Sequence, residues 1–385
     1  MRLAVYTDYV YRREDGAVYA ERAFALFLAR LGEQLDRLVI VGRLDPRAGR
    51  SHYRLPDDVE FVPLPHYPSL VDARRSVPAM ARSLGRFWRV LRDVDGAWLL
   101  GPYALSVMFA VLAAVRGRRV ALGVRQDTPR YVRSRHPGRR WVHVAADALE
   151  GVYRLMARRW PVVVVGPQLA RNYSRAVAVL PIAVSLVSER DLVEPGAALA
   201  ARSYDGDGPL VALSVGRIER EKNPLLLADV LARLREEDSR WRLVVCGEGP
   251  MMEELASRLR SLGVEEHCDL RGYVPIDGEL PGLYRSSHAL LHVSWTEGVP
   301  QVLFEAFAAG LPVVATAVGG VADAAGDAAL LVEPGDAEAP ASALASIGRD
   351  AELRRRLAEA GGARVREHTT EAECRRVADF LRAAP

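Results

Sequence analysis

The 385-residue chain is half hydrophobic, with a mean hydropathy near zero and a net charge of +3, which excludes a disordered chain and fits a globular protein of two domains. The charge is uneven: residues 1–190 contain 31 arginines against 17 acidic residues, whereas the remainder contains 21 basic and 32 acidic residues. Three cysteines without paired spacing support neither a disulfide framework nor a zinc site, and a reducing cytoplasm fits them.

The N-terminal sequence MRLAVYTDYV lacks the profile of a signal peptide and predicts a buried strand over residues 3–7. A polar loop follows, and apolar residues at helical spacing predict a helix over 17–31. The longest apolar run, residues 104–115, is too short to span a bilayer and predicts a core helix.

Short apolar runs then alternate with helical segments through the rest of the first 180 residues. Such runs predict strands of a parallel sheet covered on both faces, so a first α/β domain is expected over residues 1–180. The predicted strands are 38–42, 59–64, 97–100, 118–124 and 161–165.

Residues 74–92 form a basic amphipathic pattern in which arginines surround Phe87 and Trp88. A helix of this kind can lie on an anionic membrane surface. The alternative is a solvated arginine face over an ordinary core stripe. Both interpretations stay open from the sequence.

Residues 181–209 are rich in small and turn residues and predict an interdomain linker. A second domain, 210–365, opens with a strand at 210–216, followed by Arg217 and Lys222. Lys222 is the only lysine of the chain, and a compact ammonium reaches a phosphate as a point charge. The alternative for Arg217 is a surface ion pair with Glu219 or Glu221.

The segment 294–316 places Glu297 and Glu305 at either end of an apolar run that predicts a helix beginning at Pro300. Unpaired amides at Gln301 and Val302 would then form an anion site between two carboxylates. A sugar nucleotide, with a diphosphate between two polyols, has the matching layout. The alternative is an amphipathic helix whose Glu305 meets an arginine elsewhere.

Several motifs together resemble the retaining, sugar-nucleotide-dependent glycosyltransferases of family four. They are SVGRIEREKNP (214–224), VVCGEGP (244–250), LRGYV (270–274), EGVPQVLFEAFAAGLPVVAT (297–316), VGG (318–320) and EPGD (333–336). The resemblance implies an α/β GT-B fold, with two Rossmann-like domains facing each other across a cleft and a last helix, 366–385, packing back on the first domain.

The resemblance also implies roles for individual residues. Glu297 would hold the donor sugar, Glu305 the ribose diol, and Arg217 with Lys222 the diphosphate, with Glu297, Arg217 and Lys222 as the catalytic group. The further donor-binding positions implied are Gly16, Val274, Gly298, Val299, Gln301 and Val302. For Gly16 the alternative is a glycine that only ends a loop.

The chain departs from the family at Gln126 and Asp127, where relatives place a His-Asp pair in the cleft, which puts a general-base histidine in doubt. The nearby His136 fits a loop residue. Two Asp-x-Asp sequences, Asp93–Asp95 and Asp205–Asp207, lack the context of a metal site, so no cofactor and no catalytic metal are expected.

The expected activity is transfer of a hexose-type sugar from a nucleoside-diphosphate sugar to a glycan, lipid-linked or small-molecule acceptor, in cell-envelope polysaccharide or glycolipid synthesis. The expected location is the cytoplasm or the inner face of an anionic membrane, and no nucleic-acid partner is expected. The alternatives are a sugar-nucleotide epimerase of the same fold and a non-catalytic sugar-nucleotide-binding scaffold.

Overall fold

A computed structural model describes residues 1–49, 51–67, 73–135, 138–276 and 278–383. The chain divides into two compact units. The first unit comprises Met1–Leu186 together with Thr370–Pro385, and the second comprises Val187–Thr369. Each is built around its own sheet, which confirms the α/β class.

The first unit contains nine strands among its described residues. They are β1 (Arg2–Glu14), β2 (Ala17–Ala20), β3 (Arg37–Leu44), β4 (Tyr53–Arg54), β5 (Glu60–Pro65), β6 (Gly96–Gly101), β7 (Arg119–Val124), β8 (Val162–Val165) and β9 (Val179–Ile182). Strand β1 is central, because it pairs in parallel with β3 on one side and with β6 on the other. The run β6, β7, β8 and β9 continues in parallel from there.

The helices of this unit cover both faces of the sheet. They are α1 (Phe24–Gly32), α2 (Ala73–Val90), α3 (Ala104–Val115), α4 (Thr128–Arg135), α5 (Arg140–Ala157), α6 (Pro167–Asn172) and α15 (Thr370–Ala383). Phe87 of α2, Phe109 of α3 and Tyr153 of α5 share one core, whereas Phe27 of α1 and Val377 of α15 share the core on the opposite face.

The start of the chain differs from the prediction of a helix over 17–31. Strand β1 runs on to Glu14 and turns back through Asp15 and Gly16 into the antiparallel strand β2, so the helix begins only at Phe24. Both turn residues have positive φ, 50° and 81°, as a two-residue hairpin turn requires. The local Asp-Gly signal therefore overrides the helical spacing.

Helix α2 has the ordinary core-covering arrangement. Phe87 and Leu91 at its end are fully buried, and Met80, Leu84 and Trp88 pack against the same core. Its apolar side is therefore occupied by the protein, and the interpretation of residues 74–92 as a membrane-facing helix is wrong.

The second unit contains a parallel sheet of six strands among its described residues, in the order β12, β11, β10, β13, β14, β15. These strands are β10 (Leu210–Val215), β11 (Trp241–Cys246), β12 (Cys268–Gly272), β13 (Ala289–His292), β14 (Val313–Thr316) and β15 (Ala329–Val332). The α-helices are α7 (Pro195–Ala200), α8 (Pro224–Glu237), α9 (Met252–Ser261), α10 (Leu280–Ser286), α11 (Gln301–Ala308), α12 (Val321–Ala325), α13 (Glu338–Arg349) and α14 (Ala351–Arg366).

The segment 181–209 differs from the predicted linker. Its first residues complete β9, and from Val187 onward it belongs to the second unit. There Arg202 is buried and its guanidinium donates to carbonyls of Tyr284, Ser287, Ala309 and Gly310. These bonds fix the segment in place, which its small-residue composition did not reveal. The last helix begins at Thr370 and lies with the first unit, while 366–369 stay with the second.

Candidate functional site

The strand order of the second sheet creates a crevice between β10 and β13. From β10 the chain proceeds outward to β11, whereas from β13 it proceeds in the opposite direction to β14. Ligands of open α/β sheets bind at such a switch point, beyond the carboxyl ends of the strands. The loop carrying Arg217 and Lys222 follows β10, and the loop carrying Glu297 follows β13.

A backbone bond joins these two loops, because the amide of Trp295 donates to the carbonyl of Glu221 at 2.9 Å. Lys222 Nζ forms an ion pair with Glu297 Oε1. The same oxygen accepts a hydrogen bond of 2.7 Å from Ser294 Oγ and lies 3.0 Å from His292 Nε2. Three groups thus converge on one oxygen, while Glu297 Oε2 has no partner among the described residues.

This environment keeps Glu297 ionised. Burial acts to raise its pKa, but the hydrogen bond with His292 and the positive charge of Lys222 outweigh burial and lower the pKa to about 2. Its side chain is only 9% exposed. A carboxylate held in this way presents a fixed, charged acceptor to a ligand hydroxyl.

Glu305, the second of the two predicted acids, lies within helix α11. The hydroxyl of the buried Tyr284, on α10, donates to Glu305 Oε2 at 2.6 Å. Burial raises the pKa of Glu305, and the Tyr284 bond only partly offsets it. Among the described residues Glu305 has Tyr284 as its hydrogen-bond partner and no arginine, which disfavours the alternative of an arginine partner, and its Oε1 has no partner in that part of the chain.

Helix α11 begins at Gln301, one residue later than predicted. Pro300 is its N-cap residue, with an extended conformation, and contributes no side-chain cap. The amide of Leu303 is weakly bonded to the Pro300 carbonyl at 3.4 Å. The amides of Gln301 and Val302 precede the first intrahelical bond and have no hydrogen-bond partner among the described residues, so they remain available to an anion.

Arg217 forms its ion pairs with carboxylates other than Glu297. Its guanidinium pairs with Glu219 and with Glu221, the latter at 3.1 Å, and its side chain is half exposed. This is the surface ion pairing that the sequence left open as the alternative. Such exposed pairs are weak and exchange readily for a more highly charged partner.

Two glycines hold the loop after β14 against the loop carrying Glu297. A side chain on Gly319 would clash with the carbonyl of Glu297, and one on Gly320 would clash with the carbonyl of Gly298. Thr316, at the end of β14, donates to the carbonyl of Ser294 at 2.8 Å. The VGG segment therefore sets the position of the Glu297 backbone.

The remaining predicted residues fall in different places. Gly298 is exposed and Val299, Gln301 and Val302 are partly exposed beside Glu297, and Val274 lies partly exposed in the loop after β12. In the first unit, Gly16 occupies the hairpin turn, so the alternative of a loop glycine describes it better. Gln126 and Asp127 are exposed after β7, where Asp127 Oδ1 accepts from the Arg130 amide at 3.0 Å and caps α4. His136 lies outside the described residues.

Sequence reasoning missed His292, Ser294 and Tyr284. His292 and Ser294 are polar residues two apart at the end of an otherwise apolar strand, a signal that was available. Tyr284 comes from a separate helix and had no local signal.

Comparisons with known proteins agree with this architecture. The family described as "Glycosyl transferases group 1" matches residues 201–364. A D-inositol 3-phosphate glycosyltransferase of Corynebacterium glutamicum is 35% identical over 157 residues, covering 39% of this chain and 37% of that protein. A 2-deoxystreptamine glucosyltransferase of Streptomyces kanamyceticus is 28% identical over 262 residues, covering 65% and 62%. The chain thus spans less than two thirds of the length of these relatives.

Solved structures match over the whole chain. Anabaena Alr3699/HepE in complex with UDP and glucose has a TM-score of 0.72 at 15% identity, covering 100% of both chains. WaaG, a glycosyltransferase involved in lipopolysaccharide biosynthesis, has a TM-score of 0.67 at 16% identity, covering 99% of this chain and 100% of that chain.

The fold is therefore the two-domain α/β fold of the GT-B glycosyltransferases, as the sequence predicted. Residues 201–364, which include Glu297, Glu305, Arg217 and Lys222, are the part of the chain that resembles the glycosyl transferases group 1 family.

Proposed function

We propose that the chain is a glycosyltransferase that transfers a sugar, with retention of anomeric configuration, from a nucleoside-diphosphate sugar to an acceptor. The observation that carries the proposal is the Lys222 and Glu297 pair at the switch point of the second sheet, with one carboxylate oxygen left open. The names of the relatives, which are transferases, and of a structural neighbour holding UDP and glucose support it.

In this proposal the donor lies along the carboxyl edge of the sheet. Glu297 Oε2 accepts from hydroxyls of the sugar, Glu305 Oε1 from the ribose diol, and Lys222 with the amides of Gln301 and Val302 contacts the diphosphate. Arg217 would exchange its surface carboxylates for the same diphosphate. Positioned cations stabilise the charge that builds on the leaving diphosphate, and no protein nucleophile or metal is part of the mechanism.

Measuring conversion of the donor, with and without an acceptor, distinguishes the transferase from the two other functions. An epimerase would convert the donor without any acceptor, and a scaffold would bind nucleotide without converting donor. Gln126, at the position where relatives carry a histidine, is exposed and offers no imidazole for acid–base work. The names of the relatives, which are transferases, favour the transferase over both.

The single lysine allows a direct test of the donor site. Reductive methylation with ¹³C-formaldehyde adds labelled methyl groups to the amine of Lys222 and to the terminal amine. The NMR spectrum therefore contains the signals of these two labelled amines alone. Titration with UDP, UDP-glucose, GDP and ADP is expected to shift the Lys222 signal saturably for one base, with UDP tested first. Donor turnover is then measured with the unmethylated protein and an acceptor panel of glycans, glycolipids and small polyols.

The Lys222→Arg variant retains only the terminal amine, so its one signal identifies the terminal amine. The signal that is missing from its spectrum belongs to Lys222. Absence of any Lys222 shift with all three bases would contradict the donor site. A saturable shift without turnover on the whole panel would favour the scaffold.

We propose a peripheral contact with an anionic membrane through α5. Four apolar side chains of this helix are exposed and, at steps of three, eight and three residues, share one face: Trp141 (59%), Val144 (66%), Val152 (40%) and Leu155 (63%). Exposed arginines without an ion-pair partner in the described chain flank both ends: Arg139, Arg140, Arg158 and Arg159. Apolar side chains with flanking cations are the pattern of an interfacial helix.

Co-sedimentation with vesicles tests this contact. Binding to phosphatidylglycerol-rich vesicles, but not to pure phosphatidylcholine, is expected, with at least about tenfold loss in Trp141→Ser/Leu155→Ser. A matched control is Val77→Ser, since Val77 is as exposed but lies on α2. A dimer in light scattering that the double variant dissociates would instead assign the face to a second copy.

A cytoplasmic site of action, in cell-envelope glycan assembly, completes the proposal. Cys246, Cys268 and Cys374 are free thiols, as suits a reducing compartment. Among the described helices none is long and apolar enough to span a bilayer.

A further inference from the structure

Two arginines lie at the carboxyl edge of the first sheet. Each has a buried Nε without an acceptor, but only Arg43 of the two has oxygen acceptors for its other guanidinium nitrogens among the described residues. Arg43, at the end of β3, donates to Asp8 Oδ2 at 3.1 Å and to the carbonyls of Asp8 and Tyr67. Asp8 also accepts hydrogen bonds from the hydroxyls of Tyr6 and Tyr67. This guanidinium is therefore neutralised and held by the protein itself.

Arg125, the residue that follows β7, has no such partner. No hydrogen bond or ion pair to another described residue involves its side chain, and its Nε is buried without an acceptor. The guanidinium carbon instead lies 4.4 Å from the ring centre of Phe24 and 5.2 Å from that of Tyr9. Burial alone lowers the pKa of Arg125 to about 10, which leaves it charged at neutral pH.

A second unsatisfied group adjoins the first. The hydroxyl of Tyr9 is buried and has no hydrogen-bond partner in the described chain. Tyr9 lies on β1 within the irregularity in its pairing with β3, between Tyr6 and Val10, and Arg125 follows the last residue of β7. The connections from β1 to β3 and from β6 to β7 run in opposite directions, so the switch point of the first sheet lies between β1 and β6. Tyr9 is on β1 and Arg125 follows β7, one strand beyond β6.

A buried charge without a partner destabilises a fold, and buried donors are normally satisfied. Phe24 and Tyr9 give Arg125 an aromatic platform but supply no oxygen acceptor. A guanidinium can only donate, and its planar fork matches the two oxygens of a carboxylate or phosphate. Arg125 remains partly exposed, so a ligand in solution can reach it.

We propose that Arg125 and Tyr9 form a binding site for an anionic group, a phosphate or a carboxylate, carried by the acceptor. The assignment of the anion to the acceptor rests on the proposed glycosyl transfer, whereas the anion site itself does not. The site distinguishes a charged acceptor from its neutral analogue, because a neutral hydroxyl leaves the guanidinium uncompensated.

The first experiment measures stability and anion binding in the full chain. The probes are inorganic phosphate and acetate. Their binding is measured by the change in the unfolding temperature and by calorimetric titration. Arg125→Leu is expected to unfold at a temperature no lower than that of wild type, because the variant removes a partly buried guanidinium whose Nε has no acceptor. The same variant is expected to weaken phosphate or acetate binding at least about tenfold.

Tyr9→Phe removes only the hydroxyl and is expected to weaken anion binding without lowering stability. The matched control is Arg175→Leu, which removes an exposed arginine of the same unit that has no ion-pair partner in the described chain. A lower unfolding temperature for Arg125→Leu with unchanged anion binding would overturn the site and assign Arg125 a structural role.

The second experiment compares acceptors in matched sets: glycerol, glycerol 3-phosphate and glycerate, then myo-inositol and its monophosphate. The acceptor KM of wild type is expected to be lower for the charged member that the site prefers, and Arg125→Leu is expected to abolish this difference in KM between the charged and neutral members. Comparison of glycerol 3-phosphate with glycerate identifies whether the site prefers a phosphate or a carboxylate.

Failure of this inference and failure of the proposed function give different results. Turnover that is equal on charged and neutral acceptors, in wild type and in Arg125→Leu, would overturn the acceptor assignment while the transferase stands. Arg125-dependent phosphate binding in a protein that turns over no donor would retain the anion site and overturn the transfer.

Discussion

Lys222 Nζ and Glu297 Oε1 form an ion pair that joins the loops after β10 and β13, the two strands on either side of the switch point. Ser294 and His292 add to the same oxygen. One carboxylate oxygen is thereby fixed and the other left open, so the pair both stabilises the loop and presents an acceptor beside a cation.

Lys222→Met is expected to weaken binding of the preferred nucleoside diphosphate by about 10- to 100-fold, because a charge-assisted contact with phosphate contributes about 1.5–3 kcal/mol. Isothermal titration measures the change. Arg220→Met is the control, since Arg220 is an exposed cation in the same loop with no ion-pair partner among the described residues. Equal weakening in both variants would mean that net charge, and not the Lys222 contact, governs binding.

The pKa of Glu297 predicts a pH dependence of stability. Its folded value, about 2, lies below the ordinary 4.5, so ionisation stabilises the folded state above about pH 4.5 and this stabilisation is lost as the pH falls toward 2. The stabilisation of the folded state that is lost over this pH range amounts to about 3 kcal/mol at most.

Urea unfolding of wild type and Glu297→Gln between pH 2 and pH 7 measures this contribution. The wild type is expected to be the more stable at pH 7, and the difference is expected to shrink steadily below pH 4.5. Glu254→Gln, at an exposed position on α9, controls for loss of charge. A difference that stays constant from pH 7 to pH 2 would contradict the depressed pKa.

The sequence predicted well those helices and strands whose pattern lies within a single element. The apolar strands and the helix over 104–115 are where local periodicity placed them. The hairpin at Asp15 and Gly16 was misread because only the turn residues, and not the spacing of apolar residues, reveal it. The buried Arg202 likewise turns a linker-like composition into a fixed segment.

The same limit applies to the site. Glu297 and Glu305 belong to one continuous stretch and were found from it. The Tyr284 donor and the unpaired state of Arg125 depend on residues from distant segments, which no spacing rule brings together. Arg125 stands next to Gln126, yet burial, and not its sequence context, distinguishes it from the many surface arginines.

Tyr284 and Glu305 are expected to be energetically coupled. Tyr284→Phe removes the hydroxyl that donates to Glu305 Oε2 and should raise the pKa of Glu305 further, with a loss of about 1–2 kcal/mol in stability. The double variant Tyr284→Phe/Glu305→Gln, with both single variants, completes a double-mutant cycle in urea. A coupling energy of zero would show that the two groups do not share a proton or a bond in solution.

Gly319 and Gly326 separate two effects of a side chain. Both have a φ of 56°, so alanine strains the backbone at either position. At Gly319 the new carbon would also clash with the carbonyl of Glu297, whereas at Gly326 no atom lies within 4 Å. Gly319→Ala is therefore expected to cost at least about 1 kcal/mol more than Gly326→Ala, measured by urea unfolding.

The clash also acts on the site, because relieving it displaces the backbone of Glu297. Gly319→Ala is expected to weaken donor binding at least about tenfold, since the open Glu297 oxygen would move relative to Lys222 and to the amides of α11. Gly326→Ala is expected to leave donor affinity unchanged. If both variants bind donor as the wild type does, the VGG loop supports the fold alone and does not set the geometry of the Glu297 carboxylate.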